Sequence, residues 1–226
     1  MDETDQTSSS SLTGIVLAGG FSKRLGKPKP LLRINGQTIL ERIAAALNNI
    51  CTELVAVVRP NQEDEVTTAV KKLGIRIVRD TSADTGPLGG IERGLSVTKT
   101  DLAFVIGADY PFLSSKLIST MGKYAEDYDA VVPLLNNRIQ PLHSIYRPKE
   151  WLPVVKSALG SENLSPSTLL EQAISTGSPR VLTLGHSKLS KHHHGLLSFM
   201  DIDNERDLAH ARDLASKWPN LNQQAN

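Results

Sequence analysis

A chain of 226 residues, 39% hydrophobic and 22% charged, has the make-up of an ordinary globular protein, and its length slightly favours one large domain over two small ones. A formal net charge of +1 argues against a strongly basic nucleic-acid binder, and a single cysteine, Cys51, excludes an internal disulfide and fits a reducing compartment. No window approaches about 18 consecutive apolar residues, and the acidic, serine-rich "MDETDQTSSSSL" has no apolar stretch of a signal peptide or anchor, so the expectation is a cytoplasmic protein.

In chain order, the first strong element is "GIVLA" (14–18), an apolar run ended by Gly19-Gly20, which reads as a buried strand opening into a loop. Thr38 and Glu41 form a T-x-x-E capping box, and Ile39, Ile43, Leu47 and Ile50 recur behind it at helical spacing. A helix is therefore expected over 38–49. "LVAVV" (54–58) reads as a second strand, and a polar amphipathic segment (61–73) stops at Gly74. "IRIV" (75–78) is a third strand, and a helix over 88–97 leads to a fourth, "LAFVIG" (102–107). Beyond it "DAVVPLL" (129–135), "LHSIY" (142–146), "RVLTL" (180–184) and "LLSFMDI" (196–202) read as strands. Helices are expected over 114–124, 149–158, 166–175 and 204–217, the last capped by Asn204.

Apolar strands alternating with helices indicate βαβ units around a mainly parallel sheet, with some antiparallel or less regular sheet in the second half. One α/β domain over 13–217 is expected, between flexible tails at 1–12 and 218–226. Ligands of open α/β sheets bind outside the carboxyl ends of the strands. The Gly19-Gly20 loop follows the first strand, Asp80 the third and Asp109 the fourth, and Asp203 follows "FMDI". These groups are expected to converge on one rim.

The stretch "LAGGFSKRLGKPKP" (17–30) places Lys23, Arg24, Lys27 and Lys29 just beyond the paired glycines. Glycines after a strand present backbone N–H groups to an anion, and the cations beyond them offset polyphosphate charge. Two common phosphate loops fail here. A Walker A loop has Phe21 in place of its first glycine and Pro28 in place of its Ser or Thr, and the dinucleotide fingerprint G-x-G-x-x-G is absent.

"LAGGFSKRLGKPKPLL" resembles the L-A-G-G-x-S-x-R-[ML]-G-x-x-K signature of nucleotidyltransferases with a Rossmann-like sheet, and among them it is most similar to the MobA family of molybdenum cofactor guanylyltransferases. "RDTSADTGPLGGIERGL" (79–95), "IGADYPFL" (106–113) and "FMDIDNERDL" (199–208) extend the likeness from about 13 to 210. The resemblance implies a three-layer α/β/α domain of the nucleotide-diphospho-sugar transferase type, with a mainly parallel, partly mixed sheet. It implies GMP transfer from GTP to molybdenum-molybdopterin with release of pyrophosphate, Mg²⁺ as cofactor, and molybdoenzyme maturation proteins as partners, without nucleic acid or membrane. By the same resemblance Leu17, Ala18, Gly19 and Gly20 hold the nucleotide by their backbone, Lys29 binds its phosphates, and Asp80 belongs to the GTP site. Gly86, Pro87 and Leu88 of "GPLGG" help to form the guanine pocket, and Asp109 contacts nucleotide and carries the metal.

Such a reaction joins two anions, so it needs positioning and charge neutralisation more than a covalent nucleophile. Lys29 and Arg24 suit the leaving pyrophosphate, and one or two carboxylates suffice for Mg²⁺, which makes Asp203 the second candidate ligand. Pro28-Lys29 is also common in sugar-phosphate nucleotidyltransferases. A CTP-using relative acting on molybdopterin, or an enzyme joining a nucleotide to a sugar phosphate, therefore stays open. So does a catalytically silent nucleotide-binding adaptor. Asp201-x-Asp203 also occurs in metal-dependent glycosyltransferases, where it normally lies mid-chain.

Plainer roles stand beside these. Asp80 suits a turn before Thr81-Ser82, and Asp203 favours the helix that follows it. Lys27 faces solvent, "KHHHG" (191–195) is a solvated loop, and Cys51, Trp151 and Trp218 are packing residues. Arg138, Gln140 and His143 alternate along "RIQPLHSIYR" (138–147) and are assigned by position to the acceptor.

Overall fold

The computed structural model describes residues 11–20, 25–62, 64–81, 85–160, 165–191 and 195–218. Among them the chain runs β1 (Leu12–Leu17), a 3-10 turn (Lys29–Leu31), β2 (Arg33–Ile34), β3 (Gln37–Thr38), α1 (Ile39–Asn48), β4 (Glu53–Val58) and α2 (Glu65–Lys72). It continues through β5 (Arg76–Arg79), α3 (Gly86–Val97), β6 (Leu102–Gly107), α4 (Ser115–Tyr124), β7 (Ala130–Leu135), β8 (Arg138–Ile139) and β9 (His143–Tyr146). The remainder is α5 (Pro148–Leu159), α6 (Pro166–Thr176), β10 (Val181–Leu184), α7 (His186–Leu189), a second 3-10 segment (Gly195–Phe199) and α8 (Glu205–Lys217).

The main sheet has the order β10-β7-β9-β6-β1-β4-β5, with β8 paired to β7. β1 pairs in parallel with β4 and β6, and β4 with β5. β9 runs against both β6 and β7, while β10 and β7 pair in parallel. The mixed second half expected from the sequence is therefore one reversed strand and the short β8.

Strand alternation divides the apolar side chains between two cores. Val16, Leu54, Ala56, Phe104 and Ile106 join α1, α2, α4 and α8 on one face. Ile15, Val55, Val57, Ala103 and Val105 join α3, α5 and α6 on the other. Both faces are covered, which is why these strands read as continuous apolar runs. The capping box at α1 forms as the sequence predicts, with the Glu41 amide donating to Thr38 Oγ1 at 3.1 Å and the Thr38 amide to Glu41 Oε2 at 2.6 Å. α3 lies close on β1 because Gly94 has no side chain: a Cβ there would stand 2.5 Å from Ile15 Cγ2.

Several expectations change. "LLSFMDI" is not a strand. Leu197, Phe199, Met200 and Ile202 pack onto the α4–α8 core while Leu196 stays exposed, and the backbone folds into the Gly195–Phe199 turn before the Ile202 amide donates to the Asp109 carbonyl at 3.1 Å. Packing uses the apolar run that periodicity assigned to a ladder. Leu12, counted with the first tail, begins β1, and residues 1–10 and 219–226 lie outside the described set. Trp151 is buried as expected, but Trp218, at the C-terminal end of α8, is 45% exposed. The β2–β3 hairpin, with Asn35 and Gly36 at φ 48° and 83°, was not anticipated although Asn-Gly is a strong hairpin signal.

Candidate active site

β1, β4, β5 and β6 run in parallel, so their carboxyl ends share one edge of the sheet. A cavity of about 440 Å³ opens there. Leu17, Ala18, Gly19 and Gly20 reach it from β1, Arg59 from β4, Asp80 from β5 and Asp109 from β6, while Gly86 and Pro87 bring the N-terminus of α3. The convergence expected of residues far apart in sequence is present.

The first wall is backbone. The Ala18 amide donates to the Val57 carbonyl at 2.8 Å, extending the β1–β4 ladder to the rim. A Cβ at Gly19 would lie 3.2 Å from the Arg59 nitrogen, too close for a backbone that cannot retreat from β4. Gly20 is open, with nothing within 4 Å of the equivalent point. The N-terminus of α3 faces this wall and adds a positive dipole end suited to an anion.

The second wall carries charge. Lys29 stands in a 3-10 turn between Pro28 and Pro30, and Pro30 is buried. The prolines fix φ on either side and hold the lysine in place. Its Nζ donates to Asp109 Oδ2 at 3.0 Å and to Asp203 Oδ1 at 2.6 Å. Burial alone would lower the Lys29 pKa, but the bond to Asp203 and the charge of Asp109 outweigh it, and the net shift is upward. Burial also raises the Asp109 carboxyl, which Lys29 lowers in part and the charge of Asp203 raises further. Asp201 is raised by burial and by the charges of Asp203 and Asp109. Asp109 and Asp203 thus share one ammonium, and the Asp201 carboxyl stands close enough to feel their charges.

Asp203 is brought there without a strand. Ile202 is fully buried and its amide is tied to Asp109, while the Asp203 amide donates to Asp207 Oδ2 at 2.9 Å within the first turn of α8. Asn204 caps that helix, accepting from the Arg206 and Asp207 amides, as the sequence indicates. Ser114 caps α4, which leaves Asp109 free of a capping role.

The other candidates fall as follows. Asp80 lines the cavity and also accepts from the Thr81 amide at 2.7 Å. Leu88 packs in the core beneath α3 and is not among the cavity-lining residues. Arg24, Lys23 and the three histidines of "KHHHG" lie outside the described residues, and Lys27 is exposed. Burial pushes the Cys51 thiol up to about 12, consistent with an unreactive packing residue. His143 does not face an acceptor: it is completely buried among Phe104, Tyr110 and Phe199. Arg138 lies in β8 and His143 in β9, so the supposed alternation runs across two strands. Sequence reading also passed over Arg59 and Leu142, both of which line the cavity. Arg59 directly follows β4 and was accessible to the strand-end rule. Leu142 was not, because it precedes the reversed strand β9.

Among the described residues no three His, Cys, Asp or Glu side chains form a group that could by itself hold a metal ion. The donor set nevertheless fits a hard divalent cation that takes one or two carboxylates and completes its shell from phosphate and water. Asp109 and Asp203 both offer oxygen to one point, now taken by Lys29.

The chain matches the model of the MobA-like NTP transferase domain over residues 14–176. It is 30% identical over 209 residues to a probable molybdenum cofactor guanylyltransferase of Natronomonas pharaonis, covering 90% of this chain and 98% of that one. A protein of the same name from Methanosarcina acetivorans is 34% identical over 160 residues, covering 68% of this chain and 71% of the relative. The crystal structure of molybdopterin-guanine dinucleotide biosynthesis protein A from Archaeoglobus fulgidus superposes with a TM-score of 0.75 at 21% identity, over 91% of this chain and 99% of that chain; at that identity the likeness is one of fold.

Proposed function

From the premise that the chain belongs to the MobA-like NTP transferase family, we propose that it transfers GMP from GTP to the terminal phosphate of molybdenum-bound molybdopterin and releases pyrophosphate. It is a nucleotidyltransferase. The observation that carries the reading is Lys29 held between Asp109 and Asp203 at the mouth of a cavity walled by the Leu17–Gly20 backbone and the start of α3.

The nucleotide lies in the cavity with its phosphates toward Gly19, Gly20 and Lys29, where backbone amides and an ammonium meet the charge. Gly86 and Pro87 approach the base, and Asp80 stands at the nucleoside side. Lys29 is ionised throughout the neutral range, and on nucleotide binding it exchanges its carboxylate partners for phosphate oxygens. Asp109 and Asp203, released from it, would hold a divalent ion, for which Mg²⁺ is the expected species. When bound, that ion supplies charge neutralisation and a template for the triphosphate. No side chain need act as a base, because a phosphate nucleophile is already ionised near neutral pH. Arg24 follows the glycine loop in sequence and is assigned to the leaving pyrophosphate.

The test is a panel of GTP, CTP, ATP and UTP with Mg²⁺ and the molybdenum-molybdopterin acceptor, read by pyrophosphate release. Release with GTP alone is expected. Release only with CTP, or only with a sugar phosphate as acceptor, overturns the proposal.

A further inference from the structure

The acidic rim depends on the segment 195–203, which is tied to Asp109 by the Ile202 amide and, nearer its start, to β9 by a buried polar pair. His143, the first residue of β9, and Ser198, in the second 3-10 segment, are both fully buried. Ser198 Oγ lies 3.2 Å from His143 Nε2, and the same hydroxyl accepts from the Ser114 amide at 3.0 Å. The imidazole meets the Tyr110 ring edge-on at 5.5 Å and lies against Phe199 at 4.3 Å. Tyr110 adjoins Asp109, and Phe199 leads into Asp201 and Asp203. The pair thus grips both segments that carry the carboxylates, reaching residues 110 and 114 of one and residues 198 and 199 of the other.

Stability alone is a poor reason for these residue types. His143 Nδ1 is buried without a hydrogen-bond partner, and an unsatisfied polar group in such surroundings is costly. At His143 an apolar side chain of similar size would fill the space among three aromatic rings without that cost. What a hydrogen bond adds over an apolar contact is direction. Neither residue lines the cavity, so any influence on the reaction passes through Asp109 and Asp203.

We propose that His143 and Ser198 are positioning residues that set the separation of Asp109 and Asp203, and through it the affinity for the divalent ion that accompanies the nucleotide. The inference rests on the reading of those two carboxylates given above. Electron paramagnetic resonance of Mn²⁺ titrated into the protein with GTP, and with no acceptor present, measures ion binding without turnover. Ser198→Ala is expected to weaken Mn²⁺ binding about tenfold, the usual scale for residues that orient metal-holding carboxylates. Ser198→Thr keeps the hydroxyl and is expected to retain the wild-type affinity. In an Asp203→Asn background Ser198→Ala is expected to add nothing, because the group it positions no longer serves. Equal Mn²⁺ affinity in wild type and Ser198→Ala, or full additivity with Asp203→Asn, overturns the proposal. Should Ser198→Ala lose its near-ultraviolet circular dichroism, Ser198→Cys replaces it in the same titration, with weakened binding expected and unchanged binding decisive against. Wild-type protein that binds GTP but no Mn²⁺ overturns the reading of the carboxylates themselves, a result separate from equal affinities.

Discussion

Lys29 is the residue on which most of the site turns. Its side chain is 21% exposed and its ammonium bridges two carboxylates, an arrangement that is weakly stabilising in partial solvent and well placed to be exchanged for phosphate. Lys29→Met is expected to lower kcat/KM at least about 100-fold, the scale for losing one electrostatic contact to developing charge, while the urea midpoint moves little. Steady-state kinetics and urea denaturation check the two halves. Lys29 and Asp109 were legible in the sequence because each sits in a motif beside a recognisable strand. Their meeting with Asp203 joins positions 174 residues apart, and no local pattern encodes that distance. His143 shows the opposite limit: its position with Arg138 and Gln140 suggested a contact to the acceptor, yet burial holds it neutral, with its pKa pushed down to about 3. In the unfolded chain the same imidazole titrates near 6.5, so below about pH 6.5 the unfolded state takes a proton that the folded state refuses. Its contribution is therefore complete above that pH and declines as the pH falls toward the folded value, by up to about 1.4 kcal/mol per unit. Urea unfolding at neutral pH and at about pH 5 is expected to show wild type losing about 2 kcal/mol more than His143→Phe between the two. Parallel losses would refute it.

At the level of elements, α3 couples fold to site. Gly94 lets it lie on β1 while its first turn supplies Gly86 and Pro87 to the cavity. Gly94→Ala drives a methyl against Ile15, and a destabilisation of about 1–3 kcal/mol is expected from such overpacking. The KM for GTP should rise with it, because the helix must tilt or lift; a stability loss with unchanged KM would separate the two. The strands of the first half were readable because each is buried on both faces and bounded by a turn signal. The 195–203 segment misled because "FMDI" has strand composition but finds no open neighbour, and its apolar residues serve a core that only the tertiary arrangement defines. The β2–β3 hairpin is two residues per strand, too short for period-two alternation to register.

Across the whole molecule, the cavity is assembled from strands far apart in sequence and exists only in the folded chain, so occupancy there stabilises the entire fold. GTP with Mg²⁺ at a hundred times its Kd is expected to add about 2.7 kcal/mol to unfolding, several degrees in Tm for a chain of this size. Differential scanning fluorimetry with CTP in parallel tests the base: a smaller rise is expected, and equal rises would remove the preference for guanine. Lys29→Met should lose most of the increment while keeping the Tm of the free protein. The α/β class and the location of the site followed from strand and motif order, whereas the pairing of the second half depended on β9 turning back, which no composition announces.

That reversal has a consequence for how such a scaffold diversifies. Every parallel strand at the cavity delivers its last residues, but β9 delivers Leu142, the residue just before its start, with the Gly107 amide bonded to the Leu142 carbonyl at 3.3 Å. The turn that precedes it, at 140–142, links the short β8 to β9 and touches the parallel frame at that one bond. Gln140 and Pro141 take no part in the ladders of β1, β4, β5 and β6, so side-chain changes there leave the register of those strands in place. One side of the rim can thereby change its chemistry while the parallel strands that build the other side keep their places.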